Sequence, residues 1–249
     1  MSSFRIDRIL SGMGLCSRSE AISFIRKNEI LDPTKKQRIL SLKHKVQEQD
    51  ISKLLINGSP FQYPTLNLTI ALNKPIGYLC STVREESNHK LVYDLLPEEF
   101  SRRHPTLGYV GRLDLDSSGL LLLTQDGNFH HRVLRHDIEK RYEVNFIPEI
   151  VSEHELEEMK KIFFSGELQL RSEETTLKPI TNFEYINPST ISISIVEGKY
   201  HQVRRMFAAC SKRVVALKRT HIGAISLEGL ESPGEWCVIN TDALDDFRS

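Results

Sequence analysis

The 249-residue sequence has little cysteine and no long hydrophobic run. Its four cysteines, Cys16, Cys80, Cys210 and Cys237, are scattered and form no Cys-x-x-Cys pair, which gives no support to a structural zinc site and favours a reduced, intracellular chain. No apolar stretch approaches the ~20 residues that a membrane-spanning helix needs. The first ten residues, MSSFRIDRIL, lack an apolar signal core, so export is not expected and the cytoplasm is the predicted location.

An excess of charge of one sign is also missing, because 33 Lys and Arg balance 33 Asp and Glu. The balance is uneven along the chain, since residues 1–60 contain 11 Lys and Arg against 6 Asp and Glu, a net of +5, and the remainder carries −5. A small basic unit on a mildly acidic body suggests a local anionic partner, although a solvated helical surface explains the same charges. Arg18, Arg26 and Lys27 are the candidate contacts of the basic unit.

Hydrophobic periodicity divides the chain into a short N-terminal part and a longer, strand-rich part. Helical spacing predicts helices at 5–13, after a Ser17–Glu20 capping box, at 129–135, from a second capping box at Ser152 to about 163, and at 200–211, with a helical turn at 91–96. Alternation and turn signals predict strands near 55–60, 66–73, 119–124, 141–146, 165–170, 176–186, 190–196, 214–219, 222–227 and 236–239. This irregular mixture predicts an α+β fold with a small domain at 1–62 and a large one at 66–249.

The stretch GRLDLDSSG (111–119) places an arginine and two aspartates directly before four leucines. Its terminal glycines permit an unusual backbone and the close approach of a ligand. In an extended segment Arg112 lies on the same side as Asp114, and a neighbouring cation favours the ionised, nucleophilic carboxylate. Asp114 therefore fits the role of nucleophile, general base or metal ligand, and a turn in which an aspartate caps the next element is the alternative.

A second motif extends from Lys199 to His221 and contains seven Lys and Arg without an acidic residue. In YHQVRRMFAACS the apolar residues recur at i, i+3, i+4 and i+7, which predicts an amphipathic helix with its apolar side buried. Arg204 and Arg205 can then hold phosphates or carboxylates in forked geometry, and a solvated charged helix is the alternative. Tyr200 is expected in the core or in a pocket wall.

Two shorter motifs, ALNKPIGYLCST and EKRYEV, carry one candidate residue each. Lys74 lies at the end of a predicted strand, where it can neutralise one phosphate, and a surface turn explains it equally well. Tyr142 begins an alternating strand, where an isolated tyrosine is more often part of the core. The four cysteines are interpreted as packing residues.

Together these motifs resemble, in order and spacing, those of the RsuA family of pseudouridine synthases. The resemblance rests on NKPIGYLCST, GRLDLDSSGLLLLTQDG, EKRYEV and EGKYHQVRRMFAACS with VVALKRTHIG, and it covers residues 66–240. The N-terminal stretch resembles the small RNA-binding domain of ribosomal protein S-four, with EILDPTKKQRILSLKHK in place of the usual glycine-valine strand. The resemblance implies a catalytic domain with a mixed, mostly antiparallel central sheet and flanking helices.

The resemblance also implies which residues act. The catalytic aspartate of the family corresponds to Asp114, its active-site tyrosine to Tyr142, and the basic partner of its carboxylate to Arg204. Arg112 is expected to support the site, and Asp116 ranks second to Asp114. Neither a cofactor nor a metal is required for the chemistry of the family. The expected RNA contacts are Lys74, Lys199, His201, Gln202, Arg205, Arg18, Arg26 and Lys27.

The implied function is isomerisation of one uridine of ribosomal RNA to pseudouridine. YHQVRRMFAA, GYLCST and LKRTHIG are more similar to the small-subunit (16S) branch than to the large-subunit (23S) branches, so the expected partner of this monomer is small-subunit rRNA or an assembly intermediate, with no membrane involved. A large-subunit enzyme of the same family and a non-catalytic rRNA-binding assembly factor are the alternatives. A metal-dependent phosphotransferase using Asp114-Leu-Asp116 fits less well, because its apolar strand should precede the aspartates.

Overall fold

The computed structural model describes residues 2–83, 89–135 and 137–239, and contacts within the chain define two compact units. The first unit contains residues 1–69, 93–108 and 123–127, and the second contains residues 70–92, 109–122 and 128–249. The predicted domain boundary between residues 62 and 66 stays a prediction. In the described part of the chain, no helix is long and apolar enough to cross a membrane.

Most of the helices are short. Among the described residues they are α1 Ile6–Gly12, α2 Ala21–Lys27, α3 Glu98–Ser101, α4 Gly127–Arg135, α5 Glu153–Phe164 and α6 Gln202–Ala209. Two 3-10 helices lie at Glu48–Lys53 and Val92–Leu95. The predicted helices at 5–13, 129–135, 152–163 and 200–211 are confirmed, with ends that differ by a few residues, and the predicted helical turn at 91–96 is a 3-10 helix.

The strands of the first unit are two or three residues long. They are β1 Ser3–Arg5, β2 Ile30–Asp32, β3 Gln37–Arg38, β4 Lys45–Gln47, β5 Leu55–Ile56 and β6 Ser59–Pro60. β1 pairs with β4, and the order β3-β2-β5-β6 forms a second antiparallel sheet. Asn57 (φ 50°) and Gly58 (φ 82°) both adopt positive φ, as the predicted tight hairpin turn requires.

Hydrogen bonds confirm the first capping box. The amide of Ser17 donates to Glu20 Oε2 at 3.0 Å, and the amide of Glu20 donates to Ser17 Oγ at 3.3 Å. The hydrogen bonds from Ser17 also hold the pKa of the Glu20 carboxyl below its usual value. The helix that follows packs with α1 over an apolar core that includes Ile6, Ile9, Leu10, Ala21, Ile25 and Ile30. Burial of these side chains supplies the driving force that such short elements lack on their own.

A large sheet forms the centre of the remaining chain. The strands from residue 69 onward, within the described ranges, are β7 Thr69–Lys74, β8 Tyr78–Leu79, β9 Lys90–Leu91, β10 Gly108–Val110, β11 Ser117–Thr124, β12 Lys140–Ile147, β13 Asn182–Asn187, β14 Thr190–Ile195, β15 Arg213–Ile222, β16 Ile225–Ser226 and β17 Trp236–Val238. The sheet has the order β13-β14-β12-β15-β11-β7-β17, with β10 beside β11 and β16 beside β15, and β8 pairs separately with β9. Its pairs are antiparallel except for β11 with β15, among those with a described register. The predicted α+β fold class is confirmed.

The central strand β11 positions the loop that precedes it. Leu120–Leu123 are fully buried, as expected for a strand covered on both faces. The parallel pairing of β11 with β15 sets Gly119 opposite Arg219. Gly119 has φ +100°, and a Cβ there would lie 2.2 Å from the carbonyl oxygen of Arg219, so only glycine allows the two backbones to approach this closely.

Two predicted strands are wrong in whole or in part. Residues 165–170 form a loop, because Gly166 turns the chain with φ +69° directly after α5. The strand predicted at 176–186 begins only at Asn182. The apolar residues between these points anchor the loop instead, with Leu170 and Leu177 buried and the amide of Leu177 bonded to the carbonyl of Leu168.

Candidate active site

The loop that carries the two aspartates is fixed through its backbone. The amide of Ser117 donates to the carbonyl of Asp114 at 3.1 Å, and the amide of Gly77 donates to the carbonyl of Leu115 at 2.7 Å. Lys74 Nζ, at the end of β7, donates to the carbonyls of Asp114 (3.0 Å), Ser117 (2.7 Å) and Pro75 (3.1 Å). The carboxylate of Asp114 therefore projects from a backbone that the surrounding strands hold in place.

The predicted phosphate contact of Lys74 is wrong. Its side chain is fully buried, and the three N–H groups of the ammonium are donated to three backbone carbonyls. Burial lowers the pKa of this ammonium from its usual value, while the nearby Cys80 and Asp114 act in the opposite direction. Lys74 is thus a structural residue of the loop and not a surface cation.

Asp114 lies beside two basic side chains of the α6 region. His201 Nε2 is 3.4 Å from Asp114 Oδ1, and Arg204 Nε is 4.0 Å from Asp114 Oδ2. The Asp114 side chain is 35% exposed, so the carboxylate is accessible without facing open solvent on all sides. His201 precedes α6 in the left-handed conformation (φ 48°, ψ 33°), which directs the chain into the helix and brings both groups to the aspartate.

Arg204 makes its shorter ion pair with the second aspartate. Its Nη2 is 2.9 Å from Asp116 Oδ2 and 3.3 Å from Ser117 Oγ, and its Nη1 donates to the carbonyl of Val214 at 3.4 Å. The predicted pairing with Asp114 is present only at the 4.0 Å limit. Arg204 Nε is buried and has no hydrogen-bond partner among the described residues, so a small movement toward Asp114 would satisfy it.

A cavity of about 210 Å³ opens beside Asp114. Its walls include Arg112, Asp114, Lys140, Tyr142, His201 and Arg219. Tyr142 and Lys140 point to the same side of β12, whose buried and half-buried residues alternate, and Tyr142 lies across from Arg219 of β15. The volume lies below the usual range for drug-sized ligands and suits one planar ring.

A wider opening of about 640 Å³ adjoins this cavity and shares Arg112, Asp114 and His201 with it. The side chain of Arg112 is exposed, so Arg112 and Asp114 border one space as predicted, although residues 111–116 form a loop rather than an extended strand. Tyr200 is 75% exposed and stacks on His201 with ring centres 3.9 Å apart. Tyr200 is therefore not part of the core, but it lines the wider opening, as the expected place in a pocket wall requires, and its ring is available to an external partner.

Three of the expected RNA contacts are used within the protein. Arg205 donates to Glu173 Oε1 at 2.8 Å and to the carbonyl of Arg171, and the hydrogen bond from Arg205 lowers the pKa of Glu173. Lys199 Nζ donates to the carbonyl and the hydroxyl of Thr175 at 3.1 and 2.9 Å. Gln202 is buried and accepts from the amide of Lys199 at 2.9 Å. Lys199 and Arg205 thereby fasten the 171–176 loop to the start of α6, and the contact of these three residues with RNA stays a prediction.

Arg18, Arg26 and Lys27 belong to the first unit and are exposed there. Their predicted contact with RNA stays a prediction.

The cysteines divide by burial: Cys80 is buried, Cys16 and Cys210 are half-buried, and Cys237 is exposed, so the packing interpretation is wrong for Cys237. Burial raises the pKa of Cys16 and of Cys210 to about 11, which leaves these thiols protonated at neutral pH.

Lys140 and Arg219 are two cavity residues that the sequence interpretation missed. Both are buried, and Arg219 Nε donates to the carbonyl of Leu120 at 2.8 Å. A signal existed for Lys140, since it precedes Tyr142 by two residues and a strand places such pairs on one face.

Within the described ranges, no group of three or more His, Cys, Asp or Glu side chains is arranged to hold a metal ion, and Arg204 bonds to the second aspartate of the D-x-D pair.

The accessible carboxylate of Asp114 thus lies beside a small cavity on the face of the mixed sheet. The profile of the RNA pseudouridylate synthase family matches residues 68–209, and the chain belongs to this family, in the RsuA branch that its motifs predicted. The enzyme is thus an RNA pseudouridine synthase, an isomerase.

Relatives extend the similarity over most of the chain. Ribosomal small subunit pseudouridine synthase A of Yersinia pestis is 38% identical over 79% of this chain and 78% of its own. The protein of the same name from Escherichia coli K12 is 35% identical over 93% of this chain and 94% of its own. The crystal structure of a pseudouridylate synthase superposes with a TM-score of 0.64 at 27% identity, covering 98% of this chain and 99% of that chain.

Proposed function

We propose that this enzyme isomerises one uridine of small-subunit ribosomal RNA to pseudouridine, with Asp114 as the catalytic carboxylate. The names of its relatives support the choice of RNA. The observation that carries the assignment of Asp114 is its position at the mouth of the 210 Å³ cavity, with Tyr142 in the wall and His201 and Arg204 at 3.4 and 4.0 Å.

The reaction requires the target nucleotide to leave the RNA stack. Uridine is attached to ribose through N1 and pseudouridine through C5, so the base is detached, turned and rejoined within one site. Extrusion of a nucleotide costs a few kcal/mol, and less where the RNA is single-stranded. A cavity that accepts one ring retains the detached base while it turns, and the wider opening leaves space for the ribose and the flanking nucleotides.

Asp114 starts the reaction as nucleophile or base. The guanidinium of Arg204 compensates for the hydration that the Asp114 carboxylate loses once the bound RNA excludes water, and His201 lies on the other side of the same carboxylate. Arg204 Nε is the group placed for this purpose, since its N–H has no partner among the described residues. Asp116 and Ser117 hold the other end of the guanidinium and thereby set its orientation.

Tyr142 packs its ring against the uracil and lies near the C5 proton that must leave. Exposed Arg112 and Tyr200 border the wider opening, where a cation meets phosphate and an aromatic ring stacks on a flanking base. In the first unit, the basic residues Arg18, Arg26 and Lys27 provide a further site for the rRNA backbone. The enzyme acts as a monomer in the cytoplasm, where rRNA or its assembly intermediates are found.

A direct assay separates this proposal from its alternatives. Purified enzyme is incubated with unmodified 16S or 23S rRNA carrying tritium at uridine C5, either bare or assembled with ribosomal proteins. We expect tritium release from the 16S substrate alone, approaching one equivalent per RNA. Release from 23S rRNA alone would identify a large-subunit enzyme, and binding of either RNA without release would identify a non-catalytic assembly factor.

Arg204 and its ion-pair partner Asp116 are expected to differ in importance for the reaction. Arg204→Met removes the cation beside Asp114, and we expect kcat to fall about 100-fold, the order seen when one charge-stabilising donor is lost from a site. Asp116→Asn removes an ion pair whose carboxylate is 70% exposed. Exposed pairs contribute at most about 1 kcal/mol, so we expect less than a tenfold loss. Single-turnover tritium release measures both, and equal losses would contradict this ranking.

A further inference from the structure

The inner wall of the cavity contains a lysine that has no part in the roles assigned above. Lys140 is 9% exposed and lines the cavity together with Tyr142. The two residues are two positions apart on one face of β12, and a strand advances roughly 3.3 Å per residue. An amine at this position therefore lies within reach of a ring that is held against Tyr142.

The hydrogen bonds of Lys140 leave part of its ammonium unused. Its Nζ donates to the carbonyl of Ile138 at 2.9 Å. An ammonium carries three N–H donors, so two have no protein partner among the described residues. A buried ammonium with one hydrogen bond is costly for the folded protein, and such groups are concentrated at functional sites.

The charges around Lys140 favour an incoming acceptor. Nearby cations are Arg219 on β15 and, on the cavity walls, Arg112 and Lys199, and the imidazole of His201 lines the same walls. Nearby acids are Asp137, which precedes β12, and, on the cavity walls, Asp114 and Glu197, which accepts from Gln202 at 2.8 Å. Burial, and then the positive charge of Arg219, lower the pKa of Lys140 to about 8, so the ammonium form predominates at neutral pH.

We propose that Lys140 donates a hydrogen bond to a carbonyl oxygen of the flipped uracil and stabilises the negative charge that develops there. This inference rests on the proposed function. Breaking the N1–C1′ bond leaves its electron pair on the uracil, and attack on C6 instead pushes the C5–C6 electron pair toward the O4 carbonyl. On either route the charge reaches a carbonyl oxygen, and Lys140 keeps its proton throughout.

The same contact provides a basis for choosing uracil over cytosine. Uracil presents carbonyl acceptors at C2 and C4, whereas cytosine presents an amino donor at C4. If O4 is the oxygen that Lys140 contacts, a cytosine would place two donors together and leave both without an acceptor. A site rejects an analogue more strongly when binding would leave buried polar groups unpaired than when the analogue differs only in size.

The first test compares Lys140→Met with Lys140→Arg in single-turnover assays on the rRNA substrate. Methionine keeps most of the buried stem and removes the charge, so we expect kcat to fall about 100-fold with a smaller change in KM. Arginine keeps the cation and should restore part of kcat. The exposed Lys161→Met is the matched control and should act as wild type. A Lys140→Met enzyme with wild-type kcat overturns the inference.

The second test identifies the contact itself by placing 2-thiouridine or 4-thiouridine at the target position. Sulfur is a weak acceptor, so one of the two substitutions should slow the wild-type enzyme and leave the Lys140→Met enzyme unchanged, which is the signature of a coupled pair. Each comparison is made within one protein preparation, so partial misfolding of the variant does not affect it. Equal sensitivity of both enzymes to both substitutions would mean that Lys140 only shapes the wall.

A pH profile supplies an independent measurement. Because the pKa of Lys140 is lowered to about 8, the cation is present below this pH and is lost above it, so the wild-type kcat should fall as pH rises through this region. The falling limb should be missing in Lys140→Met and in Lys140→Arg. Wild-type enzyme that releases no tritium from rRNA overturns the proposed function together with this inference, whereas an active wild type with an equally active Lys140→Met overturns the inference alone.

Discussion

Replacing Asp114 with asparagine is expected to reduce the rate of pseudouridine formation by at least about 1,000-fold, the scale of loss when a group that forms or breaks bonds is removed. The amide is neither a nucleophile nor a base, but it has nearly the same size and hydrogen-bonding reach. The backbone of the loop should be unaffected, because Lys74 and the neighbouring amides bond to the loop carbonyls and not to the carboxylate. Tritium release under single-turnover conditions measures the loss.

Two controls make this result specific. Glu157→Gln, on the exposed surface of α5, removes one carboxylate at a distance from the cavity lining and should retain full activity. RNA binding by Asp114→Asn, measured by filter retention, should stay within a few-fold of wild type, because removal of a negative charge does not weaken contacts to phosphate. An Asp114→Asn enzyme that turns over within tenfold of wild type would show that another group performs the chemistry.

Gly119→Ala is expected to lower the free energy of unfolding by about 3 kcal/mol, since it combines a strained positive φ with an overpacked backbone contact. The added methyl group would lie 2.2 Å from the carbonyl oxygen and 2.8 Å from the amide nitrogen of Arg219, and neither atom can move without shifting β15. Since Arg219 lines the cavity, the remaining folded protein should also lose activity. Urea denaturation followed by circular dichroism measures the change in stability.

Gly127→Ala is the matched control for this substitution. Gly127 begins α4, its φ is not positive, and a methyl group added to it would meet no other atom within 4 Å among the described residues. Alanine is the better helix former, so this variant should be as stable as wild type or slightly more stable. Equal stability of the two variants would mean that β11 and β15 can separate at Gly119 without cost.

The sequence predicted the elements whose pattern is local. Alternation in TISISIV and the run of leucines after Gly119 correspond to β14 and β11, and the helical stripe around Met206 corresponds to α6. The strand predicted at 165–170 failed because Gly166 turns the chain, and Leu168 and Leu170 are held by loop contacts that periodicity does not record. The pairing order across the sheet is likewise non-local, and the family resemblance implied only that the sheet is mixed and mostly antiparallel.

The sequence motifs predicted site residues correctly only where the motif residues face the cavity. Asp114 and Tyr142 do so, and Gln202 also lines the cavity, whereas Lys74 and Arg205 donate to internal carbonyls and to a carboxylate. A sequence shows that a basic residue is present, but it does not show which acceptors its N–H groups bond to in the folded protein. Lys140 is an error of the opposite kind, because it lines the cavity and was not predicted. It was overlooked because Tyr142 already explained the EKRYEV motif.

The buried ammonium of Lys74 has a consequence for how tightly the enzyme can hold its substrate. Loops that become ordered only on association lose conformational entropy at that moment, and affinity falls accordingly. Here the turn at Asp114 is already tied to β7 through two of its carbonyls, those of Asp114 and Ser117, before any nucleic acid arrives. Contact energy from the RNA is then available for extruding the nucleotide, because the loop that carries Asp114 is already ordered.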